Sequence, residues 1–320
     1  MKDVLTAQKK SPFVMSKARR KKLLFYSLFI AFPVLHYLIF YVYINLDSVL
    51  LAFRTYEIDA VKGALVYENA GWKNFSDAFT VLGQSGTRIA NSFIFLAISI
   101  FFSTPLALLF SFYIYKERFG TQFFRVMLFL PQILSGVILG VLYRYMCNQV
   151  AGWFAQNVFF TKKANLLTDT RYQMWSVILF NIIMSFGVNV LTYSGTMSGV
   201  NGSLAEAAEL DGCKPIQEFF YITVPMIWPT VATLMIVSFS RVFTEQWQVL
   251  TLLGRTPGKV DNLGYYLYTM ALDGQLVWDG NSNHLAYTTL SALGLILTAL
   301  VLPATMILRK LLDKYGPKAE

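Results

Sequence analysis

The residue types that usually carry catalytic or metal chemistry are scarce in this chain of 320 residues. It contains two histidines, His36 and His284, and two cysteines, Cys147 and Cys213. None of them stands in an H-E-x-x-H, C-x-x-C or G-x-S-x-G motif, the spacings that bring metal ligands or a nucleophile and its partners together. We therefore predict no catalytic residue, no metal site and no cofactor held by this chain.

The stretch GRTPGKV at 254–260 is the nearest approach to a phosphate-binding loop. Its glycine spacing is wrong, and neither serine nor threonine follows Lys259. Backbone N–H groups and a hydroxyl would therefore not converge on a phosphate and its Mg²⁺. The sequence predicts that this chain does not hydrolyse ATP by itself.

Long apolar blocks must position whatever functional residues the chain has. The chain is 55% hydrophobic and 14% charged, with mean hydropathy +0.49, whereas a soluble domain is usually about 25% charged. A membrane span needs roughly 20 apolar residues and must satisfy its own backbone hydrogen bonds, which makes it a helix. We predict an all-α membrane protein with six transmembrane helices, at 23–45, 90–114, 125–146, 174–194, 225–243 and 286–308. The first block is longer than a signal-peptide core and lacks an A-x-A site, so we expect an uncleaved span.

Lysine and arginine are distributed unevenly among the loops that six spans would create. Residues on one side of the membrane would hold 16 of the 27 in the chain. The positive-inside rule makes that side cytoplasmic. The cytoplasmic regions would be both termini and the loops at 115–125 and 195–224.

This topology predicts a basic cytoplasmic tail (1–22), a transmembrane domain (23–310) and a second cytoplasmic tail (311–320). The external loop 46–89 would form a small lid or an interfacial helix. The net charge of +9 is explained by topology and by contact with membrane lipid, and it does not indicate binding to nucleic acid.

The segment between the fourth and fifth blocks, NGSLAEAAELDGCKPIQEFFYITVP at 201–225, has the pattern of two helices. We call it the acidic hairpin. Ser203 can act as N-cap, with Glu206 three residues later completing a capping box. Gly212 suits the left-handed position that ends a helix, and Pro215 suits the first turn of the next one.

On the second helix of the hairpin, Ile216, Phe219 and Phe220 fall at i, i+3 and i+4 and form an apolar stripe. We expect this stripe to pack under the bundle, the acidic and small residues to face outward, and the fifth span to begin at Pro225. On local physics alone, the hairpin could equally be a well-capped connector between two spans.

The spacing E-A-A, three residues, Gly, nine residues, Ile, one residue, an aliphatic residue and Pro resembles the EAA loop of the permease subunits of binding-protein-dependent ABC importers. The residues that carry it are Glu206, Ala207, Ala208, Gly212, Ile222, Val224 and Pro225, with valine in place of the usual leucine. The fuller form EAAELDG…QEFFYITVP is similar to the carbohydrate-uptake branch, which includes the maltose-type permeases. The likeness covers roughly 90–308, although GRTPG replaces the usual GGP after the fifth span.

The resemblance implies a type I importer fold in the bacterial cytoplasmic membrane, and a loop at 203–224 that couples the chain to an ATPase. Its partners would be two ATPase subunits holding ATP and Mg²⁺, a second permease chain of different sequence, and an extracellular solute-binding protein. Within the loop, small residues would allow close approach of the ATPase, Glu206 would meet a basic group, and the phenylalanines would anchor the loop. The implied coupling residues are Glu206, Ala207, Ala208, Asp211, Gly212, Phe219, Phe220 and Pro225.

Polar residues recur every four positions in the fourth block, at Asn181, Ser185, Asn189 and Tyr193. This spacing puts them on one slowly drifting helix face. They could line a solute path, or they could form hydrogen bonds between packed helices.

Further candidates for a solute path follow the fifth block. Arg241 would lie about 24 Å beyond Pro225 along the helix, in the outer part of the membrane, where Glu245 could pair with it. The pair could line or gate the path, or Arg241 could extend to the outer surface. Trp247 and Tyr193 could stack on a sugar ring or belong to an interfacial aromatic belt. Tyr287 is a further possible pocket residue.

Two alternatives stay open at this point. A secondary transporter would usually carry carboxylates inside its spans and repeated halves, and this sequence has no Asp or Glu central in a span apart from the Arg241–Glu245 neighbourhood. An importer permease could also serve a non-sugar solute such as glycerol phosphate, which should need more cations in the spans than Arg144 and Arg241 provide.

Overall fold

A computed structural model describes residues 17–58, 65–150, 153, 157, 165–273, 276–279 and 282–317. The chain divides into two compact units, Met1–Leu51 and Ala52–Glu320. Within the described residues, five helices are long and apolar enough to cross a membrane, or six if one sharply bent helix pair counts as a span. The predicted all-helical membrane fold is thereby confirmed, with five to six candidate spans where six were predicted.

The first unit contains one long helical segment. It consists of an α-helix Lys17–Tyr37, a π-helical stretch Leu38–Tyr43 and a second α-helix Ile44–Leu51. Its apolar part, Arg19–Leu51, is longer than the predicted block.

The second unit begins with a β-hairpin and a helix, within the loop for which we expected a small lid or an interfacial helix. Strands Arg54–Ile58 and Leu65–Asn69 pair antiparallel, and a helix Lys73–Gln84 follows them. The side chain of Asn74 donates to the carbonyls of Ala52 and Arg54, both at 2.9 Å, and so fastens the helix to the hairpin. A second antiparallel hairpin joins strands Leu276–Asp279 and Ser282–Leu285. These two hairpins are additions to an otherwise helical fold.

The second and fifth spans share one local irregularity. The second consists of Gly86–Ile98, a π-helical turn Ser99–Ser103 and Thr104–Tyr115. The fifth consists of Pro215–Glu218, a π-helical turn Phe219–Thr223 and Val224–Ser240. In each, a proline stands two residues after the π turn, at Pro105 and Pro225. Because proline has no N–H to donate, widening the preceding turn lets the helix pass through it.

The third span is not the single helix that we predicted at 125–146. Helices Thr121–Ile133 and Gly136–Tyr145, the latter extended by a π turn Met146–Val150, meet at an angle of 101°. Leu134 and Ser135 are extended, with ψ of 146° and 133°. Helices commonly kink at a Ser-Gly pair such as Ser135–Gly136, since neither residue holds the helix strongly.

The remaining elements complete the second unit. The fourth span is Gln173–Met197, and the acidic hairpin supplies a helix Gly202–Leu210. After the fifth span come Val249–Leu253, a 3₁₀ turn Gly258–Val260 and Leu263–Asp273. The last helix, Ala286–Tyr315, contains the sixth span Tyr287–Tyr315.

Side chain to backbone hydrogen bonds join the spans of the second unit. Ser111 of the second span donates to the carbonyl of Val190 in the fourth at 3.0 Å. Trp228 of the fifth span donates to the carbonyl of Leu312 in the sixth at 3.2 Å. Interhelical bonds of this kind stabilise membrane bundles, where lipid offers no competing partner.

A glycine controls the crossing of the fourth span and the Thr121–Ile133 helix. A β-carbon at Gly187 would collide with the backbone carbonyl of Leu128. We expect Gly187→Leu to force the two helices apart and to destabilise the bundle by about 1–3 kcal/mol. The melting temperature of the purified protein in detergent should fall. Gly195→Ala, in the same helix with open space around it, is the matched control and should melt like the unmodified protein. Equal melting of both variants would show that the helices can adjust at this crossing.

Candidate functional site

The first helix of the acidic hairpin starts two residues earlier than predicted. The cap is Asn201, whose side-chain oxygen accepts a hydrogen bond from the Ser203 N–H at 3.2 Å. The predicted Ser203 cap with its Glu206 capping box is therefore wrong. Asn and Ser are both strong caps, and here Asn201 adopts the extended backbone that a cap requires, with ψ of 115°.

The turn of the hairpin follows the prediction. Gly212 has φ of +82°, the left-handed conformation that ends a helix. The Cys213 N–H donates to the carbonyl of Ala208 at 2.9 Å, which closes the helix end. The side chain of Gln217 then accepts from the Lys214 N–H at 2.9 Å, and Pro215 takes the first position of the second helix. Both helix ends at the turn are thus satisfied, which makes the hairpin stiff.

The second helix of the hairpin is continuous with the fifth span. Pro215–Ser240 forms one apolar helix of 26 residues, so Pro225 lies inside this helix and does not begin it. Phe219 is 4% exposed and packs against the bundle, but Ile216 and Phe220 are 73% and 58% exposed. The expected stripe therefore reduces to Phe219, because a helix that runs straight into a span buries only the side facing its neighbours. The prediction that Phe220 anchors the loop to the bundle is therefore wrong.

The outward face of the hairpin carries the other predicted coupling residues. Glu206, Ala207, Asp211 and Gly212 are exposed, and Ala208 is half-buried. Leu210 is 90% exposed beside them. An acidic and apolar surface with small residues is available there to another molecule.

A buried ion pair fastens the hairpin to the second span. Glu218 is 6% exposed, and Lys116 Nζ lies 2.6 Å from its Oε1. Our sequence reasoning missed this pair because the two residues are far apart in the sequence and belong to no shared motif.

A cavity of about 360 Å³ lies among the second, fourth and fifth spans and the segment that follows the fifth. The second span supplies Phe95, Ile98, Ser99 and Ser103, and the fourth supplies Ile178, Asn181, Ile182, Met184, Ser185 and Asn189. The fifth span and its continuation supply Val237, Ser238, Arg241, Glu245, Trp247 and Gln248. The lining mixes hydroxyls, amides, one ion pair and aromatic and aliphatic surface.

Six of the eight residues predicted for a solute path line this cavity: Asn181, Ser185, Asn189, Arg241, Glu245 and Trp247. Tyr193 does not, because it is 1% exposed and packs in a separate apolar cluster with Ala107 and Val190. Tyr287 is also outside the cavity lining, and its hydroxyl donates to the carbonyl of Ala271 at 3.1 Å.

Asn181 holds the backbone that shapes the cavity. Its amide donates to the carbonyls of Val177 at 2.8 Å and Trp247 at 2.7 Å. Trp247 and Gln248 have φ of +52° and +56°, a conformation that non-glycine residues adopt rarely and that functional sites often retain. The indole of Trp247 stacks on Phe95, with ring centroids 5.5 Å apart. Asn181 thus keeps this aromatic wall in place.

Several polar groups in the cavity lining have no partner. Within the described part of the chain, the buried Ser103 Oγ and Trp247 Nε1 make no hydrogen bond. The half-buried Asn189 amide also has no hydrogen bond to any described residue. Buried polar groups are usually hydrogen-bonded, so these groups are available to a bound molecule.

The predicted Arg241–Glu245 pair is present just beyond the end of the fifth span. The Arg241 Nη1 and Glu245 Oε2 atoms are 3.7 Å apart, and the side chains are 65% and 34% exposed. One positive and one negative charge leave the cavity lining without net charge.

Sequence reasoning missed the contribution of the second span. Ser99 and Ser103 are four residues apart, the same polar spacing that identified the fourth span. That spacing, followed by Pro105, is a signal that could have found this wall of the cavity. Among the described residues, there is no group of three or more His, Cys, Asp or Glu side chains that could hold a metal ion.

Residues 81–315 match the family of binding-protein-dependent transport system inner membrane components. A probable ABC transporter permease of Mycoplasma pneumoniae is 32% identical over 178 residues, 53% of this chain and 52% of that protein. The maltose/maltodextrin transport system permease protein MalF of Escherichia coli K12 is 27% identical over 219 residues, 64% of this chain and 43% of that protein. The chain thus spans about half the length of these curated relatives.

A solved structure shares the fold. A chain of the bacterial alginate ABC transporter, crystallised with a periplasmic protein that holds an alginate pentasaccharide, superposes with a TM-score of 0.73 at 18% identity. The superposition covers 95% of this chain and 99% of that one. Together with the family match and the apolar helices, this likeness gives a multi-pass inner membrane protein with the type I permease fold. The chain belongs to the family of binding-protein-dependent transport system inner membrane components.

Proposed function

We propose that this chain is the transmembrane subunit of an ATP-driven ABC importer and forms half of its translocation pore. The observation that carries the proposal is the continuity of one helix, Pro215–Ser240. Its first turns belong to the acidic hairpin, and its far end contributes Val237 and Ser238 to the cavity. A movement of the hairpin can therefore be transmitted to the cavity wall along a single helix.

The partners follow from this assignment. Two separate ATPase subunits bind ATP and Mg²⁺ and dock on the loop at 203–224. A second permease chain completes the pore, and an extracellular binding protein delivers the solute. The chain works in a bacterial cytoplasmic membrane with both tails (1–22 and 311–320) in the cytoplasm and the permease domain (23–310) between them. The basic tails support this orientation.

The solute that suits the cavity is a neutral carbohydrate. Hydroxyls and amides of Ser99, Ser103 and Asn189 can exchange hydrogen bonds with sugar hydroxyls. The stacked Phe95 and Trp247 rings offer apolar surface to the C–H face of a sugar ring. Because Arg241 is balanced by Glu245, the cavity has no surplus cation for a phosphorylated solute. The name of the maltose/maltodextrin relative agrees with this class.

The mechanism is alternating access. Closure of the two ATPase subunits around ATP moves the hairpin through contacts with Glu206, Ala207, Ala208, Asp211 and Gly212. The fifth span transmits that movement. The cavity then closes on one side of the membrane and opens on the other. This chain binds and orients the solute, and its hairpin and fifth span transmit the movement. ATP hydrolysis takes place on the ATPase.

Reversal of one charge tests the coupling assignment. Glu206→Lys should reduce solute uptake by more than about tenfold, because a reversed charge at a docking interface costs several kcal/mol. The variant should melt like the unmodified protein, since Glu206 is exposed. Uptake and ATP hydrolysis are measured on the assembled importer in proteoliposomes.

The control is Asp77→Lys, which reverses an exposed charge in the helix Lys73–Gln84, outside the hairpin, and should leave uptake unchanged. Normal uptake and hydrolysis in Glu206→Lys would refute the coupling role of the hairpin.

The cavity assignment is tested at Asn189. We expect Asn189→Ala to lower uptake up to about tenfold, the effect of losing one or two hydrogen bonds to a neutral solute. Thr192→Ala is the control, because Thr192 is on the exposed side of the same helix. The two variants are compared across a panel of labelled oligosaccharides. Unchanged kinetics for Asn189→Ala would leave Asn189 with a role in helix packing alone.

A further inference from the structure

The buried carboxylate of Glu218 forms the main polar contact between the acidic hairpin and the rest of the bundle. The side chains of Glu218 and Lys116 are 8% and 23% exposed, and the Nζ and Oε1 atoms are 2.6 Å apart. Oε1 has no aligned hydrogen bond to a described residue, so the ammonium of Lys116 is what compensates its charge. Burying a carboxylate is costly unless a positive charge compensates it.

A ring contact at the next residue reinforces the ion pair. Phe219 packs against Phe112, with centroids 5.2 Å apart and planes at 60°. Lys116 Nζ also lies 5.8 Å from the Phe112 ring centroid. Two consecutive residues of the hairpin, Glu218 and Phe219, thus contact the end of the second span.

The two ends of this contact lead to different walls of the cavity. Lys116 directly follows the second span, which contributes Ser99 and Ser103 to the cavity lining. Glu218 lies in the first turn of the fifth span, which contributes Val237 and Ser238. The hairpin is covalently joined to the fourth and fifth spans but not to the second, so non-covalent contacts must carry any movement to the second.

We propose that Lys116 and Glu218 are positioning residues that make the second and fifth spans move as one body when the ATPase moves the hairpin. This inference rests on the proposed function, because it requires an ATPase that acts on the hairpin. The second span is bonded in turn to the fourth through Ser111 and Val190, and the fourth is itself joined to the hairpin by residues 198–200. Through the ion pair, a movement of the hairpin therefore displaces two walls of the cavity, those formed by the second and fifth spans.

A role in stability alone would predict a different result from a role in transmission. A stabilising contact, when broken, lowers the melting temperature but leaves the spans moving together. A transmitting contact, when broken, lets the hairpin move while the second span lags behind. The test must therefore show that the hairpin and the second span move together, and not only that they lie close to each other.

The experiment measures whether the hairpin and the end of the second span keep their distance during the ATPase cycle. Spin labels are attached at Phe119→Cys and Lys214→Cys, both exposed positions, after Cys147→Ser and Cys213→Ser remove the native thiols. The assembled complex with its ATPase is placed in nanodiscs. Electron–electron distances are recorded without nucleotide and after trapping with ATP and vanadate.

With the ion pair intact, we expect the same distance in both states. Lys116→Glu should shift or broaden the distance on trapping by an amount on the order of one helical turn, about 5 Å. Lys116→Gln, which removes the charge without adding repulsion, should show a smaller change in the same direction. The double variant Lys116→Glu/Glu218→Lys restores the pair with reversed signs and should restore the constant distance.

The exposed pair Arg309–Asp313, 3.8 Å apart, supplies the control. Its reversal, Arg309→Asp/Asp313→Arg, should leave the distance constant. A constant distance in Lys116→Glu, or a changing distance with the pair intact, would overturn the proposal.

Failure of the proposed function gives a separate result. Lys116→Glu should still bring down the ATPase on purification, whereas Glu206→Lys should not. If Glu206→Lys also retains a fully active ATPase, the hairpin is not the docking site, and both the proposed function and the inference that rests on it are refuted.

Discussion

Hydrocarbon offers no hydrogen-bond partner to an unpaired backbone group, and this constraint decides where the helices of the bundle can be irregular. Pro105 and Pro225 each interrupt a span, and each follows a π turn that keeps the helix continuous. In the second span, the Thr104 hydroxyl donates to the Ser99 carbonyl at 3.0 Å. One of these π turns lines the cavity and the other joins the hairpin to the fifth span, so the irregular turns occur where the proposed movement is transmitted.

The same constraint explains the structure around Trp247. Non-helical backbone at membrane depth is tolerated where protein covers it or where it lines a cavity. After Ser240 the chain leaves the helix, and side-chain amides meet its carbonyls: Asn181 bonds the carbonyl of Trp247 at 2.7 Å, and Asn262 that of Gln246 at 3.3 Å. Asn181 is therefore occupied with shaping the cavity, whereas Asn189 is available for a solute.

Periodicity in the sequence was sufficient for the approximate positions of the spans and for the polar wall that the fourth span gives to the cavity, and its failures have geometric causes. A step of four residues advances a helix face by about 40°, so three steps rotate it by about 120°. Asn181, Ser185 and Asn189 stay within the cavity face, but Tyr193 has turned into the apolar cluster beside the second span. The break at Ser135 and the cap at Asn201 depended on choices between adjacent residues that hydropathy does not distinguish. The Lys116–Glu218 pair is a tertiary contact that has no local pattern.

Two ion pairs of the second unit, Arg241–Glu245 and Lys116–Glu218, suit opposite mechanical demands. Arg241 and Glu245 are exposed and 3.7 Å apart, and exposed pairs contribute less than about 1 kcal/mol. A solute or a neighbouring chain can therefore rearrange them at little cost. Lys116 and Glu218 are largely buried and 2.6 Å apart, and separating such a pair would leave an uncompensated charge at a cost of roughly 3–5 kcal/mol. The proposed importer subunit must bind its solute reversibly while its hairpin transmits the movement of the ATPase. These two pairs, an exposed one at the cavity and a largely buried one at the hairpin, meet those two requirements at opposite ends of the fifth span.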